Sequence, residues 1–281
     1  MTLLKKILAV FRIIRPLNFI IIFLSITVAY VISNKGESLN LIIILAAFAG
    51  SLAGAAGNVI NDYYDIETDK INKPDRVLPS GDLTGKEAFF LYLILIFFSL
   101  DIALWAGVKS FLVVIVSTAV IFLYSYKLKR VPLLGNIIVS LMTGMAFVLG
   151  AIVAENISGG IIPAVFALVI NFIREIVKDI EDMEGDLKNG IKTFPIISGT
   201  KKARNIATVS IVALILLTIM PFLFEFYKIE YTVLVMLVVN PLLVITVKLL
   251  HTSDSRENMK KVSGLLKSSM IFGLIAIYLG V

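Results

Sequence analysis

Nine long apolar runs constrain this chain more than any other feature. They cover roughly residues 16–34, 39–57, 87–106, 109–126, 133–153, 160–178, 204–224, 231–250 and 263–281. A helix needs ~17–25 residues to cross the hydrocarbon of a bilayer. There every backbone N–H and C=O must be satisfied inside the segment, so runs of this length resolve as helices. Charged residues are only 16% of the 281, and hydrophobic ones 58%, against about 25% charged in soluble domains. The sequence therefore predicts an all-α integral membrane protein, with nine transmembrane helices in one bundle. It reads as a single membrane domain over 1–281 with a weak internal duplication, and it predicts no nucleic-acid partner.

With nine spans the connections alternate between two sides. The N-terminal segment and the connections near 58–86, 127–132, 174–204 and 248–267 carry 23 of the 26 Lys and Arg residues, leaving Lys35, Lys109 and Lys228 for the other side. Positive charge stays on the cytoplasmic face. This predicts a cytoplasmic N-terminus, cytoplasmic cap loops and a multi-pass protein of the cell membrane. No small-residue cleavage site follows the first apolar run, which reads as a retained span. Glycines at Gly50, Gly54, Gly144 and Gly150 predict close helix–helix approach.

The chemistry is concentrated in residues 57–81, GNVINDYYDIETDKINKPDRVLPSG. Asn58, Asp62, Asp65 and Asp69 follow one another at intervals of four, three and four, and at ~100° per residue they share one helical face. Pro74 and the turn at 78–81 are expected to end that helix. The same intervals recur in Glu175, Asp179, Asp182 and Asp186, each 117 residues after its counterpart. Both stripes close an apolar span on the same side. Acids at a membrane edge are costly and mark function by default. The chain has no cysteine and one histidine, so any metal is held by oxygen. Hard oxygen ligands select Mg²⁺ or a similar ion, which takes one or two carboxylates plus substrate phosphate oxygens. The two stripes read as facing walls of a metal-diphosphate site. Arg15, Lys73, Arg76, Lys127, Lys129, Arg130, Lys178, Lys188 and Lys192 lie on the same side, available to outer phosphate oxygens. Tyr63, Tyr64, Tyr124 and Tyr126 lie near the carboxylate level, where an aromatic face could stabilise an allylic cation.

The run Asn61-Asp62-Tyr63-Tyr64-Asp65-Ile66-Glu67-Thr68-Asp69 resembles the NDxxDxxxD signature of the UbiA superfamily of intramembrane prenyltransferases. Asp182-Met183-Glu184-Gly185-Asp186 is similar to that superfamily's second motif, DxxxD. The runs NKPDR and REIVKDIEDMEGD are most similar to its archaeal ether-lipid branch. The resemblance covers essentially the whole chain and implies nine transmembrane helices. It also implies that Asn61, Asp62, Asp65 and Asp69 bind Mg²⁺–diphosphate from one side and Asp182 and Asp186 from the other, with Asp179 as a further neighbour. Asp62, Asp65, Asp69, Asp182 and Asp186 are then the catalytic set. Asn58, Asn61, Arg15, Lys73, Arg76, Tyr126, Lys127 and Lys188 are the substrate-binding candidates. The implied donor is geranylgeranyl diphosphate and the implied acceptor geranylgeranylglyceryl phosphate, alkylated on its free glycerol hydroxyl. Some family members carry YxxxK after the fourth span. Here no Tyr has a Lys four residues on, and Tyr126 has Arg130 instead, which leaves that role open.

Plainer readings stand beside these. Glu175 could simply pair with Lys178, and Asn58 could be a helix-packing hydrogen bonder. Lys127, Lys129 and Arg130 are equally accounted for by positive-inside anchoring. An aromatic acceptor would use the same donor chemistry. A cation-coupled transporter is the competitor from another class, but it would place ionisable residues near the bilayer midplane on broken helices. The stripes here sit at one end, and no predicted span is charged through its middle.

Overall fold

The computed structural model describes residues 3–36 and 38–281, and among these it is helical without strands. A short amphipathic helix, α1 (Leu3–Ile14), precedes the first span. Its buried side chains, Ala9 and Ile13, pack on Val59, Leu78 and Leu83, while Leu4, Ile7, Leu8 and Phe11 face outward. An exposed apolar face beside Lys5, Lys6 and Arg12 is what an interfacial helix presents to lipid.

The nine helices long and apolar enough to span, among the described residues, match the nine predicted runs. They begin with α2 (Pro16–Ser33) and α3 (Leu41–Tyr64). A seven-residue helix, α4 (Ile66–Asn72), follows α3. Next come α5 (Gly85–Trp105), α6 (Val108–Tyr126), α7 (Leu134–Val153) and α8 (Ile157–Glu181), with a 3₁₀ turn at Leu128–Arg130 between α6 and α7. The short α9 (Met183–Lys188) and α10 (Phe194–Ser198) cap that region before α11 (Thr200–Leu223). The eighth span is composite: α12 (Ile229–Leu234), a π-helical turn at Val235–Val239, and α13 (Asn240–Leu250). Pro241 has no N–H to close the ordinary bond to Leu237, so the turn widens there. The last span is α14 (Arg256–Leu279). It begins seven residues earlier than the apolar run does, and this puts Lys267 in the body of the span, contrary to the expectation that none is charged at its middle.

The α2 helix sits centrally and packs on α3, α7, α8 and α14. Close approach depends on missing side chains at two glycines. A Cβ on Gly150 would lie 2.1 Å from the carbonyl oxygen of Ile26 in α2, and one on Gly144 would lie 2.9 Å from that of Ala164 in α8. Small residues at such crossings let backbones touch where water supplies no driving force between helices. Large exposed side chains are apolar, with Trp105, Leu237 and Val209 all more than two-thirds exposed, as lipid-facing positions are.

The packing predicts opposite effects for two alanines. Gly150→Ala must push α2 from α7 and should cost about 1–3 kcal/mol, read as a lower unfolding midpoint in detergent. Gly264→Ala, where a Cβ meets nothing within 4 Å, should hold or raise the midpoint because alanine favours helix by about 0.5–1 kcal/mol.

Candidate active site

The two acidic stripes are not continuous helical faces. Each span breaks at the third residue of its stripe. Asp65 closes α3 and opens α4 with φ −98° and ψ 4°, and Asp182 closes α8 and opens α9 with φ −97° and ψ 2°. The bridge-region backbone at both aspartates is a conformation that active-site residues favour. After the break α4 runs on to Asn72, two residues before Pro74. After the breaks, α4 and α9 pack against each other.

One buried side chain fixes that contact. Asn72, 2% exposed, donates from Nδ2 to the Asp182 carbonyl at 2.8 Å and accepts at Oδ1 from the Gly185 N–H at 3.0 Å. A Cβ on Gly185 would collide with the Asn72 amide at 2.5 Å, so the second motif needs glycine there. The neighbouring Lys73 pairs with the Asp182 carboxylate. The two motifs, 117 residues apart in sequence, thus meet through a backbone clasp and an ion pair.

Each first-motif carboxylate has a basic partner. Arg15 and Arg76 both reach Asp62 Oδ1, at 2.5 and 3.2 Å, and Arg76 also reaches Asp69 Oδ2 at 2.6 Å. Arg15 takes a left-handed backbone, φ 55°, between α1 and α2, an uncommon state for a non-glycine residue. It also hydrogen-bonds Asn58 Oδ1 at 3.4 Å. Asp65 accepts from Lys129 at 2.6 Å and from Asn61 at 2.9 Å. Burial pushes the Asp69 carboxyl above its ordinary range, with Arg76 working against it. Burial also opposes the charge on Arg76, yet Asp62 and Asp69 outweigh it and hold the guanidinium above its usual value. In the second motif Asp179 accepts from Asn136 at 2.8 Å. Burial, with Asp182 and Asp65 adding, pushes Asp186 up to about 7.

Of the sequence candidates, Asn58, Asn61, Asp62, Asp65, Asp69, Lys73, Arg76, Arg15, Asp179, Asp182 and Asp186 are gathered at this end of the bundle. Three others are not. Lys127 is exposed. Tyr126, 56% exposed, stacks on Phe122 and packs at a tilt against Tyr64, and Tyr63 meets Tyr64 edge-on in the same aromatic group. Lys188 pairs with Glu184 at 2.7 Å in solvent. The 3₁₀ turn after α6 causes the shift in register, carrying Lys129 inward to Asp65 while Tyr124 lines the interior cavity. Glu175 pairs with Lys178 through both oxygens, at 2.8 and 3.0 Å. Asn72 and Asn136 were missed. Asn72 lay in the NKPDR run, and Asn136 was an amide at the start of an apolar span.

Below this polar end lies a cavity of about 340 Å³. Arg15, Asn58, Asn61 and Glu175 line one part, and an apolar barrel including Ile22, Phe147, Phe166 and Ile277 lines much of the rest. A second cavity of about 530 Å³, lined by Arg12, Arg15, Lys73, Arg76, Arg256 and Lys260, lies beside Asp62. Among the described residues no three carboxylates or histidines are close enough to hold an ion by themselves. The oxygen set still fits a hard divalent ion shared with phosphate oxygens: the buried Oδ1 atoms of Asp182 and Asn61 have no hydrogen-bond partner.

This bundle, with a paired-acid polar end above an apolar cavity, defines an intramembrane enzyme for substrates with a charged head and a lipid tail. Residues 22–271 match the UbiA prenyltransferase family, and the chain belongs to that family. It is similar to digeranylgeranylglyceryl phosphate synthase of Methanosphaera stadtmanae, 34% identical over 96% of this chain and 97% of that one, and to the same enzyme of Methanobrevibacter smithii, 37% identical over 96% of each. A solved structure of digeranylgeranylglyceryl phosphate synthase is 33% identical, with a TM-score of 0.75 over 98% of both chains. A UbiA homologue from Archaeoglobus fulgidus, solved with GPP and Mg²⁺, shares the fold at 19% identity and TM-score 0.65.

The geometry separates neighbouring lysines. Lys129→Met should cut turnover by about tenfold or more, since a charge-assisted bond to a buried carboxylate is worth about 1.5–3 kcal/mol. Lys127→Met should stay within about twofold, as surface substitutions usually do. Asn72→Ala orphans the buried Gly185 N–H at about 1–3 kcal/mol and removes one of the two bonds to the Asp182 carbonyl, which keeps the Asp186 N–H; it should lower both thermal stability and turnover in purified protein.

Proposed function

We propose that this chain transfers a geranylgeranyl group from geranylgeranyl diphosphate to the free glycerol hydroxyl of geranylgeranylglyceryl phosphate, releasing diphosphate. The observation that carries the reading is the convergence of the two aspartate motifs through Asn72 and Lys73 above an apolar cavity. Similarity to relatives that bear the synthase name over nearly their whole length supports the substrate assignment.

In this mechanism Asp62, Asp65, Asp69, Asp179, Asp182 and Asp186 would hold Mg²⁺ together with substrate phosphate oxygens. The bound ion supplies Lewis acidity to the leaving diphosphate. Arg15, Lys73, Arg76 and Lys129 exchange part of their bonding from carboxylates to diphosphate oxygens, and so neutralise charge as it develops. Asn61 and Asn58 orient the head group. The apolar cavity takes the prenyl tail and excludes water from the allylic cation, with Tyr124 as the aromatic side chain nearest the polar end. The C1–oxygen bond to diphosphate breaks, the acceptor oxygen bonds to C1, and its proton passes to a diphosphate oxygen. An alcohol meeting a cation needs little further base assistance. We place the polar end in the cytoplasm of the cell membrane because the connections at that end carry most of the cations. The matched backbone of Asp65 and Asp182 also favours one domain that arose by duplication.

The deciding experiment offers purified enzyme the same donor with geranylgeranylglyceryl phosphate or 4-hydroxybenzoate and follows the products by mass spectrometry. Alkylation of the glyceryl phosphate alone is expected. Alkylation of the aromatic acid, or ion uptake into liposomes without diphosphate release, overturns the reading. Chelation of divalent ions should abolish turnover, and Asp62→Asn or Asp186→Asn should each lower it by about 10²-fold or more; normal rates in either variant would remove the metal role.

A further inference from the structure

A second group of charges lines the cavity beside the paired acids: Lys267 on α14, and Arg174 and Lys178 on α8 on either side of Glu175. Lys267 is the twelfth of the 24 residues of α14, about 16 Å along the helix from its start at 1.5 Å per residue. A lysine this far inside a span is costly and marks function by default. Its Nζ donates to Asn18 Oδ1 of α2 at 3.0 Å and makes no ion pair among the described residues. Across the same cavity, α8 presents Arg174 and Lys178. Arg174 has only a 3.5 Å contact with Glu175, and its Nε is buried without a partner. Lys178 uses the same Glu175. Three cations against one carboxylate leave a surplus of two positive charges on a partly apolar wall, which burial penalises unless an anion answers them.

We infer that Lys267, Arg174, Lys178 and Asn18 form a subsite for a phosphate monoester dianion, distinct from the diphosphate locus. A phosphate monoester carries about −1.5 to −2 at neutral pH, which matches the surplus. The inference rests on the proposed prenyl transfer, in which the acceptor carries such a phosphate. Seating it between α2, α8 and α14 aims the glycerol hydroxyl across the cavity, toward the C1 atom held below the α3 and α8 ends. An aromatic acceptor such as 4-hydroxybenzoate brings only one negative charge, against about −1.5 to −2 for a phosphate monoester, so the subsite also bears on acceptor choice.

The test uses the full chain in detergent, with steady-state rates measured against donor, against geranylgeranylglyceryl phosphate and against its unphosphorylated alcohol. Lys267→Gln and, separately, Arg174→Gln should raise the KM for the phosphorylated acceptor by about tenfold or more. The donor KM should move by less than about twofold. The preference for phosphorylated over unphosphorylated acceptor should fall by a similar factor, and Lys267→Arg should recover most of it. Inorganic phosphate should compete with the acceptor, not the donor, in the wild type, and should lose that competition in Lys267→Gln. That arm separates recognition of the free anion from recognition of the lipid. A KM rise confined to the donor, or equal losses on both acceptors, overturns the subsite while prenyl transfer stands. A wild-type enzyme that ignores the phosphorylated acceptor overturns the proposed function and the subsite together. The two glutamine variants are read independently, so misfolding of one leaves the other decisive.

Discussion

Everything at the polar end of this protein follows from buried carboxylates that must be neutralised. Asp62, Asp69 and Asp186 are each less than a tenth exposed, and an ionised carboxylate in such surroundings is held only by countercharge. Four basic residues, Arg15, Lys73, Arg76 and Lys129, answer six aspartates, a deficit of two positive charges. Burial first, and neighbouring carboxylates second, raise Asp69 and Asp186; in the proposed mechanism a divalent cation supplies the missing positive charge. A diphosphate arriving with metal restores negative charge and gives the basic residues new acceptors. This balance suits the proposed metal–diphosphate complex better than a bare ion.

The fold serves that balance by bringing two distant chain segments to one place. The breaks at Asp65 and Asp182 set off α4 and α9, which pack on each other, and Asn72 locks them together through backbone groups of the second motif. Outside, α1 holds the loop between α4 and α5 through Arg12, which reaches the Asp75 carbonyl and the Asp82 carboxylate. Deeper in, glycine crossings draw α2 against α7, and the cavity they border carries its own surplus of positive charge. The acid-rich end and the base-rich wall are opposite in sign, which fits the two anionic substrates proposed above, one held through metal and one directly.

The number and order of the spans were legible in the sequence because bilayer thickness and backbone satisfaction leave one solution for long apolar runs. The acid spacing was legible too, since 3.6-residue periodicity survives until the helix ends. The break at Asp65 was hidden, because nothing local forbids another helical turn there; the packing of α4 on α9 imposes it. For the same reason Lys127 and Lys129 could not be ranked. A single 3₁₀ turn decides which of them faces Asp65. Lys267 escaped notice because the polar first turns of α14 read as a connection, which displaced the start of the span. Asn72 looked like loop punctuation before Pro74, and its value lies in a contact 110 residues away.

Calorimetric titration of the purified enzyme with Mg²⁺, with and without a non-ionisable analogue of the prenyl diphosphate, tests the central claim most directly. The account predicts weak binding of Mg²⁺ alone, because the basic residues already occupy the carboxylates. It predicts much tighter binding with the analogue, lost alike on changing Asp62 or Asp182 to Asn. Equal Mg²⁺ affinity with and without the analogue, or dependence on one motif only, would contradict it.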